Sequence, residues 1–372
     1  PCVVVPAPSR PSRTMNLPRA LTLRAYRRQN RWMVDLPAPM LAKAVEKLPE
    51  GDLLYEPKWD GFRGLVAVTP NGVEIGSRGD KPLTRYFPEL VEAFGRLLPP
   101  CVLDGELVVT IEWDGRRRLH WDSLTQRIHP AASRVEKLAR ETPASFVAFD
   151  VLSIGDRDLA GLPLRERRAA LEELFADVPA PLHLTRTTRD PELARRWLDE
   201  FEGAGLDGVV AKPLGDPYQP RKRAMFKIKH KRTADVVLLG YRIHKSGQGV
   251  GSLLVGLYHD GQLRAVGGVS ALSNARRLEL IDELAPLVET GEDGAVVTGE
   301  KERSRFNAAN KDTSFVRLRP ERVLEVRYDQ MEAGRFRHTV QFERWRPDRD
   351  PESCTYDQLE VPTVYDLDDV LQ

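Results

Sequence analysis

A lysine directly ahead of a tight Asp-Gly turn constrains the fold of this chain more than any other local feature. The turn lies in residues 56–63, Glu-Pro-Lys-Trp-Asp-Gly-Phe-Arg, and apolar strand-like runs flank it at 53–55 and 65–68. Asp-Gly between two such runs is typical of a hairpin, which predicts two neighbouring strands. Lys58 on this loop could act as a nucleophile if its amine were kept neutral. An ordinary hairpin turn is the alternative interpretation.

The bulk properties favour a folded cytoplasmic protein of two domains. The chain has 372 residues, more than one ordinary core holds. Hydrophobic residues make up 41%, as in folded soluble proteins, and no apolar run is long enough for a transmembrane helix. The formal net charge is only +1, so a nucleic-acid surface would have to come from local clustering of basic residues. Cys2, Cys101 and Cys354 lie far apart, which fits neither a disulfide framework nor a zinc site.

The first 32 residues have no Asp or Glu but many Pro and Arg. A disordered basic arm that contacts DNA and a targeting peptide are two interpretations of such a composition. The third, which we favour, is an extension ahead of a true start at Met33. We therefore predict residues 1–32 to be a disordered or non-native extension and leave them out of the fold.

Two regions of different pattern follow. Between residues 53 and 229, short strand-like runs alternate with helical patterns, which predicts an α+β domain with antiparallel sheets over residues 33–232. Over residues 233–349, three strand-like runs, an amphipathic helix at 275–288 and two more runs follow in order. That is the order of an OB-fold, a small β-barrel often used on nucleic acids. We expect a boundary and a hinge at 231–235.

The tail, residues 350–372, is acidic and carries a short apolar stripe, which consists of Val364, Leu367, Val370 and Leu371. The stripe could dock on the first domain. Disorder of the whole tail is the alternative.

Charged and aromatic residues interrupt the strand-like runs of the first domain. Asp104 and Glu106 are two positions apart, so a strand puts both carboxylates on one face. Buried without partners they would be costly, whereas facing a nucleotide they could bind ribose hydroxyls or Mg²⁺. Phe149 lies in the run 146–151, where a phenylalanine is more often a core residue.

Basic residues occur in the same region. Lys227 and Lys229 alternate with Phe226 and Ile228, so a strand gives both lysines one face. Neighbouring like charges repel, and an anion between them is their natural partner, although solvated surface lysines are the alternative. Arg78 follows a strand in Gly-Ser-Arg-Gly-Asp, where an exposed arginine is commonly just solvated.

Six runs in this order resemble the motifs of the covalent nucleotidyltransferases, the superfamily of polynucleotide ligases and mRNA capping enzymes. The runs are Lys-x-Asp-Gly-x-Arg at 58–63, Asp-Gly-Glu at 104–106, the aromatic strand at 146–151, Asp-Gly at 207–208, Lys-x-Lys at 227–229 and Arg-x-Arg-x-Asp-Arg at 344–349. The similarity spans nearly all of residues 33–349 and is closest to the ATP-dependent DNA ligases of the short bacterial repair type. Three positions depart from the family pattern: Asp207 replaces the usual Glu, Met225 the usual Trp and Arg349 the usual Lys.

The resemblance implies an adenylation domain with ATP-grasp-like antiparallel sheets, followed by the OB-fold. Lys58 would attack ATP to form lysyl-AMP, AMP would pass to the 5′-phosphate of a nick, and the 3′-hydroxyl would then displace it. The implied nucleotide-binding residues are Glu56 near the adenine edge, Phe149 on the adenine, Arg63 and Glu106 at the ribose, and Arg78, Lys227, Lys229, Arg346 and Arg349 at the phosphates. Glu106 and Asp207 are the implied carboxylates for Mg²⁺ or Mn²⁺.

The implied partner is nicked duplex DNA, with a cytoplasmic, nucleoid-associated monomer acting in repair and no membrane. A Ku-like end binder and a polymerase/primase are implied partners by analogy. Duplex contacts should go to phosphates, because sealing cannot depend on sequence. The candidates are Arg78, Arg127, His244, Lys245, Asn310, Lys311 and residues 301–305. An RNA ligase, a GTP-dependent capping guanylyltransferase using the same lysine, and a non-catalytic binding module are the rival functions.

Overall fold

The structure, a computed structural model, describes residues 36–79, 81–230, 232–300, 314–332, 334–359 and 364–371. The predicted extension at 1–32 and the candidate duplex contacts at 301–305, 310 and 311 lie outside these ranges. Of the helices within the described ranges, none is long and apolar enough to cross a membrane.

The first part of the chain forms two sheets. Its strands are β1 (Leu41–Ala44), β2 (Leu53–Pro57), β3 (Phe62–Thr69), β4 (Gly72–Ser77), β5 (Cys101–Trp113), β6 (Arg116–Leu119), β7 (Ala144–Ile154), β8 (Arg157–Asp158), β9 (Leu182–Leu184), β10 (Val209–Pro213) and β11 (Arg223–Ile228). One sheet has the order β1-β11-β10-β2, and the other has the order β4-β3-β5-β7-β8, with β6 on β5 and β9 on β7. All pairs except β1–β11 and β7–β9 are antiparallel, which confirms the predicted α+β class.

Five helices accompany these sheets: α1 (Pro88–Leu97), α2 (Trp121–Gln126), α3 (Ala132–Glu141), α4 (Leu164–Phe175) and α5 (Pro191–Glu200). Helix α1 begins with Pro88, whose fixed φ suits a first helical position. Its Phe94 packs on Phe146 of β7 with ring centres 5.0 Å apart, so the helix covers the larger sheet. Helix α5 buries Trp197 against the smaller sheet. Each sheet thereby acquires its own core.

The second part of the chain forms a curled antiparallel sheet with one helix. Its elements are β12 (Arg232–Ile243), β13 (Val250–His259), β14 (Gln262–Val269), α6 (Asn274–Leu284), β15 (Thr298–Glu300), β16 (Ser314–Arg317), β17 (Val323–Tyr328), β18 (Met331–Glu332), β19 (Arg335–Phe336) and β20 (Gln341–Trp345). Strand β12 pairs with β13 on one side and with β17 and β16 on the other. The predicted order of three strands, a helix and two strands is present, with four short strands added. Ser273 caps the helix, because its side chain accepts the Arg276 N–H.

The two parts of the chain meet where β12 follows β11. Strand β12 begins at Arg232, shortly after β11 ends. Lys229 Nζ lies 2.9 Å from Asp329 of the second part. Arg337, also from the second part, forms an ion pair with Asp60 in the Lys-Trp-Asp-Gly turn. The second part therefore contacts the loop that carries Lys58.

The tail packs on both parts. On the second part, Tyr258 N–H donates to the carbonyl of the buried Cys354 at 2.8 Å. On the first part, Leu367 and Val370 are fully buried in the core beneath the smaller sheet. The apolar stripe is therefore docked on the first part through Leu367 and Val370. Val364, which is 57% exposed, takes no part in this contact.

Candidate active site

A cleft between the two sheets of the first domain collects most of the predicted site residues. Its cavity of about 910 Å³ lies within the usual range of ligand-binding cavities. The predicted residues that line it are Glu56, Lys58, Arg63, Arg78, Glu106, Phe149 and Lys227. The other four predicted residues, which are not among those that line this cleft, are Asp207, Lys229, Arg346 and Arg349.

Lys58 follows β2 and is held by the Asp-Gly pair at 207–208. The Lys58 N–H donates to the Gly208 carbonyl at 2.8 Å, and the Asp207 N–H donates to the Lys58 carbonyl at 2.9 Å. Gly208 has a φ of +134°, and a Cβ there would lie 2.1 Å from the Ile228 carbonyl oxygen. Only glycine fits this approach. These backbone contacts bring the two side chains together, and Lys58 Nζ lies 2.5 Å from Asp207 Oδ2.

Asp207 binds two lysines at once. Its Oδ2 also lies 3.1 Å from Lys229 Nζ. Burial alone would raise the pKa of Asp207, but the ammonium groups of Lys58 and Lys229 outweigh burial and hold that pKa below its ordinary value. Asp207 is therefore an anion here. Despite its shorter side chain, it contacts the nucleophile directly.

Arg63 on β3 is held at the cleft by Asp104 on β5. The Arg63 Nε and Nη2 each donate to Asp104 at 2.5 Å. The guanidinium carbon lies 4.5 Å from the centre of the Phe149 ring. Asp104 is fully buried, so of the two β5 carboxylates it is Glu106 that lines the cleft. Asp104 was not predicted to have a role separate from that of Glu106, although the spacing of the two residues was the available signal.

Glu106 is a poor anion in this environment. Burial raises its pKa to about 8, although Arg63 and Lys58 act in the opposite direction. Within the described ranges, no three His, Cys, Asp or Glu residues are grouped so that they could hold a metal ion. Asp207 is already neutralised by two lysines. The residues present therefore do not fit a resident metal ion.

One end of the cleft contains a buried carboxylate oxygen that lacks a partner. Glu56 is 4% exposed, and its Oε1 lies 2.6 Å from Lys212 Nζ. Its Oε2 has no hydrogen-bond partner. Lys212 Nζ lies 4.5 Å from the centre of the Phe149 ring. A buried acceptor without a donor is costly, so this end suits a ligand that brings an N–H and a flat ring. Lys212 was not predicted, although a lysine on an otherwise apolar strand was an available signal.

The other end of the cleft is cationic. Burial and repulsion by Lys58, Lys229 and Arg78 lower the pKa of Lys227. Lys81 and Arg85 also line the cleft and were not predicted, although both follow Arg78 closely in sequence. Crowded cations repel one another unless an anion lies between them, so this end suits phosphates. Met225 also lines the cleft, on the same strand as Lys227.

The two predicted arginines of the second domain lie away from the cleft. Arg346 Nη1 is 2.9 Å from both carboxylate oxygens of Asp235 and also binds Asp348. Arg349 Nε lies 3.3 Å from Asp235. In this arrangement both arginines are therefore ion-paired at the start of β12.

The candidate duplex contact Arg127 is wrong. Its side chain is fully buried, it forms two hydrogen bonds with the Glu89 carboxylate at 2.6 and 2.9 Å, and it donates to the Tyr86 and Thr142 carbonyls. No surface is left for DNA. His244 and Lys245 lie in the loop between β12 and β13, where Lys245 is exposed.

The chain is similar to known proteins over most of its length. Residues 36–229 match the family model "ATP dependent DNA ligase domain", and residues 246–349 match "ATP dependent DNA ligase C terminal region". The chain is 54% identical to DNA ligase C of Mycobacterium tuberculosis, over 90% of this chain and 96% of that protein. It is 53% identical to DNA ligase C1 of Mycolicibacterium smegmatis, over 91% of this chain and 99% of that protein.

A solved structure from a study of Lig E DNA ligases is similar in fold, with a TM-score of 0.53 at 16% identity, over 84% of this chain and 100% of that chain. The fold, the lysine-bearing cleft and the matches over both domains identify the class as covalent nucleotidyltransferase. The chain belongs to the family of ATP-dependent DNA ligases.

Proposed function

We propose that this chain seals nicks in duplex DNA and that Lys58 carries the AMP intermediate. The observation that carries the proposal is the position of Lys58 Nζ in a cleft with two different ends. One end has the unpartnered Glu56 oxygen beside Phe149, which suits a base, and the other is cationic, which suits phosphates.

The first step forms the bond between Lys58 Nζ and the α-phosphorus of ATP and breaks the bond to the pyrophosphate oxygen. Lys58 must lose its proton before it can attack, because an ammonium has no free electron pair. Lys58 Nζ is ion-paired with Asp207, so this pair has to loosen when the nucleotide enters. Lys227, Arg78 and Arg63 then face the charge that develops on the phosphate oxygens.

The later steps use the same cleft. AMP moves from Lys58 to the 5′-phosphate at the nick, and the 3′-hydroxyl then displaces AMP and seals the strand. The acidic residues of the site, Glu106 and Asp207, do not fit a resident metal ion. We expect Mg²⁺ or Mn²⁺ to enter with ATP, as nucleotide-bound Mg²⁺ usually does.

Glu56 supports ATP over GTP. Adenine presents an amino group where guanine presents the O6 oxygen. The unpartnered Glu56 Oε2 can accept from the amino group but would face the guanine oxygen as one acceptor against another. This disfavours the capping guanylyltransferase.

We further propose that the second domain, which we take to be the OB-fold, turns about residues 231–235 and brings Arg346 and Arg349 to the phosphates. A repair role for a cytoplasmic, nucleoid-associated monomer, with a Ku-like end binder or a polymerase/primase as partners, rests on family analogy.

Incubation with α-labelled ATP, GTP and NAD⁺, followed by a denaturing gel, tests the proposal. Label from ATP should attach to the wild type and to Lys47→Ala, an exposed lysine outside the cleft, but not to Lys58→Ala. Label from GTP would support capping, and label on Lys58→Ala would remove the proposed nucleophile. Sealing of nicked DNA, with nicked RNA in parallel, separates the two ligase classes.

A further inference from the structure

The carboxylate of Asp104 accepts three hydrogen bonds from two residues. Its Oδ1 accepts from Arg63 Nε, and its Oδ2 accepts both from Arg63 Nη2 at 2.5 Å and from the Tyr218 hydroxyl at 2.6 Å. Asp104 is fully buried, and a buried carboxylate is stable only when its oxygens are well paired. The Tyr218 hydroxyl therefore helps to fix the anion that in turn fixes Arg63.

Tyr218 is itself anchored from several directions. Its oxygen accepts the Met40 N–H at 3.0 Å, and its own N–H donates to the Ala160 carbonyl at 2.9 Å. The ring is buried with Leu65 and Met225. Burial and the neighbouring Asp104 raise the pKa of Tyr218 above its ordinary value, so the hydroxyl stays protonated and continues to donate.

Arg63 depends on this support. Its side chain lines the cleft, and the Asp104 contact uses Nε and one side of Nη2. The remaining N–H groups of the planar guanidinium can then point toward a nucleotide only in the orientation that Asp104 imposes. Tyr218 does not line the cleft, so any effect it has on the nucleotide must pass through Asp104.

We propose that Tyr218 is a positioning residue for ATP binding, which acts by holding Asp104 and hence the guanidinium of Arg63. The inference rests on the proposed function. The chain of contacts joins the segment between β10 and β11, the entry to β1 and strand β5, so the nucleotide cleft is braced by residues distant in sequence.

Tyr218→Phe removes the hydroxyl and leaves the ring volume unchanged. Because a hydrogen bond to a charged group is lost, the KM for ATP in self-adenylation should rise roughly tenfold. The maximal rate should stay within about twofold, since no group that touches the reacting atoms is changed. A KM measured this way does not depend on the active fraction of the preparation.

The decisive measurement is a double-mutant cycle with Arg63→Lys, which keeps the charge but cannot make the two-pronged contact. If Tyr218 acts through Arg63, Tyr218→Phe should add little to the KM of Arg63→Lys. Tyr241→Phe, a buried tyrosine of the second domain, serves as the matched control and should leave the KM unchanged.

An unchanged KM in Tyr218→Phe, or effects that add fully in the double variant, would overturn the positioning role while the wild type still forms lysyl-AMP. A wild type that takes no label, even after pyrophosphate treatment to remove bound AMP, would instead reject the proposed function. A lowered thermal midpoint with an unchanged KM would mean that Tyr218 only stabilises the fold.

Discussion

Glu56→Gln should weaken the preference for ATP over GTP. In the structure, Glu56 Oε1 accepts from Lys212 at 2.6 Å, while the buried Oε2 has no hydrogen-bond partner. Glutamine has the same shape but only one oxygen. Lys212 is 2% exposed and needs that oxygen, so the new NH₂ group should take the place of Oε2. The adenine amino group would then face the glutamine NH₂ group as one donor against another, whereas the guanine O6 could accept a hydrogen bond from it.

The size of the change follows from these contacts. ATP loses a hydrogen bond to a charged acceptor, worth about 1.5–3 kcal/mol, which is at least roughly tenfold in affinity. GTP gains a neutral hydrogen bond of about 1 kcal/mol, or roughly fivefold. The ratio of the affinity for ATP to the affinity for GTP should therefore fall by roughly 50-fold or more. The buried Lys212 also loses its anion, which should cost on the order of 3 kcal/mol of folding free energy.

The assay is single-turnover self-adenylation or self-guanylylation at increasing nucleotide concentration. Glu50→Gln is the matched control, because Glu50 is exposed and pairs with Arg195 away from the cleft. A folded Glu56→Gln that keeps the wild-type ratio, or that loses both nucleotides equally, would show that Glu56 does not recognise the base.

Three further results are expected. Leu367→Ala should lower the free energy of unfolding in urea by about 3 kcal/mol, since this side chain is fully buried, whereas Val364→Ala, at 57% exposure, should change it by less than about 0.5 kcal/mol; equal values would place the tail off the core. Burial raises the pKa of Glu106 to about 8, so the folded protein holds this proton more tightly than the unfolded chain does. The contribution of Glu106 to stability is therefore full below about pH 4.5 and is lost as pH rises toward 8. Glu106→Gln should flatten the dependence of the unfolding free energy on pH in that window. Arg346→Ala should impair self-adenylation more than sealing of a pre-adenylated nick, and equal losses would contradict the turning of the second domain.

Much of the first domain could be predicted from local pattern. The predicted α+β class with antiparallel sheets is present, and most motif residues line one cleft. Helices α2 and α3 were not predicted. Helix α2 has only six residues, too few for a periodic pattern, and α3 buries only Val135 and Leu138 on an otherwise charged surface.

Contacts between distant segments could not be read from the sequence. The bond between Lys58 and Asp207 joins residues 149 positions apart, and Arg127 is buried by a glutamate 38 positions earlier. Arg127 lies among polar neighbours in sequence and therefore resembles a solvated residue. Motif order identified the residue types that the cleft needs, but only the packed sheets show which cation is neutralised by which anion.

We expect the proposed turn of the second domain to depend on the nucleotide, because the arginines of this domain are ion-paired in the structure. Arg346 and Arg349 are both paired with Asp235 at the start of β12, and Arg337 is paired with Asp60 beside Lys58. Arg346 can reach a phosphate only if it leaves Asp235, and a triphosphate carries more negative charge than that single carboxylate. A turn of the domain must also break the Arg337 pair, which costs free energy unless new contacts replace it. We therefore expect ATP to shift the position of the second domain, since the anion that loosens Lys58 from Asp207 is also the one that can draw Arg346 away from Asp235.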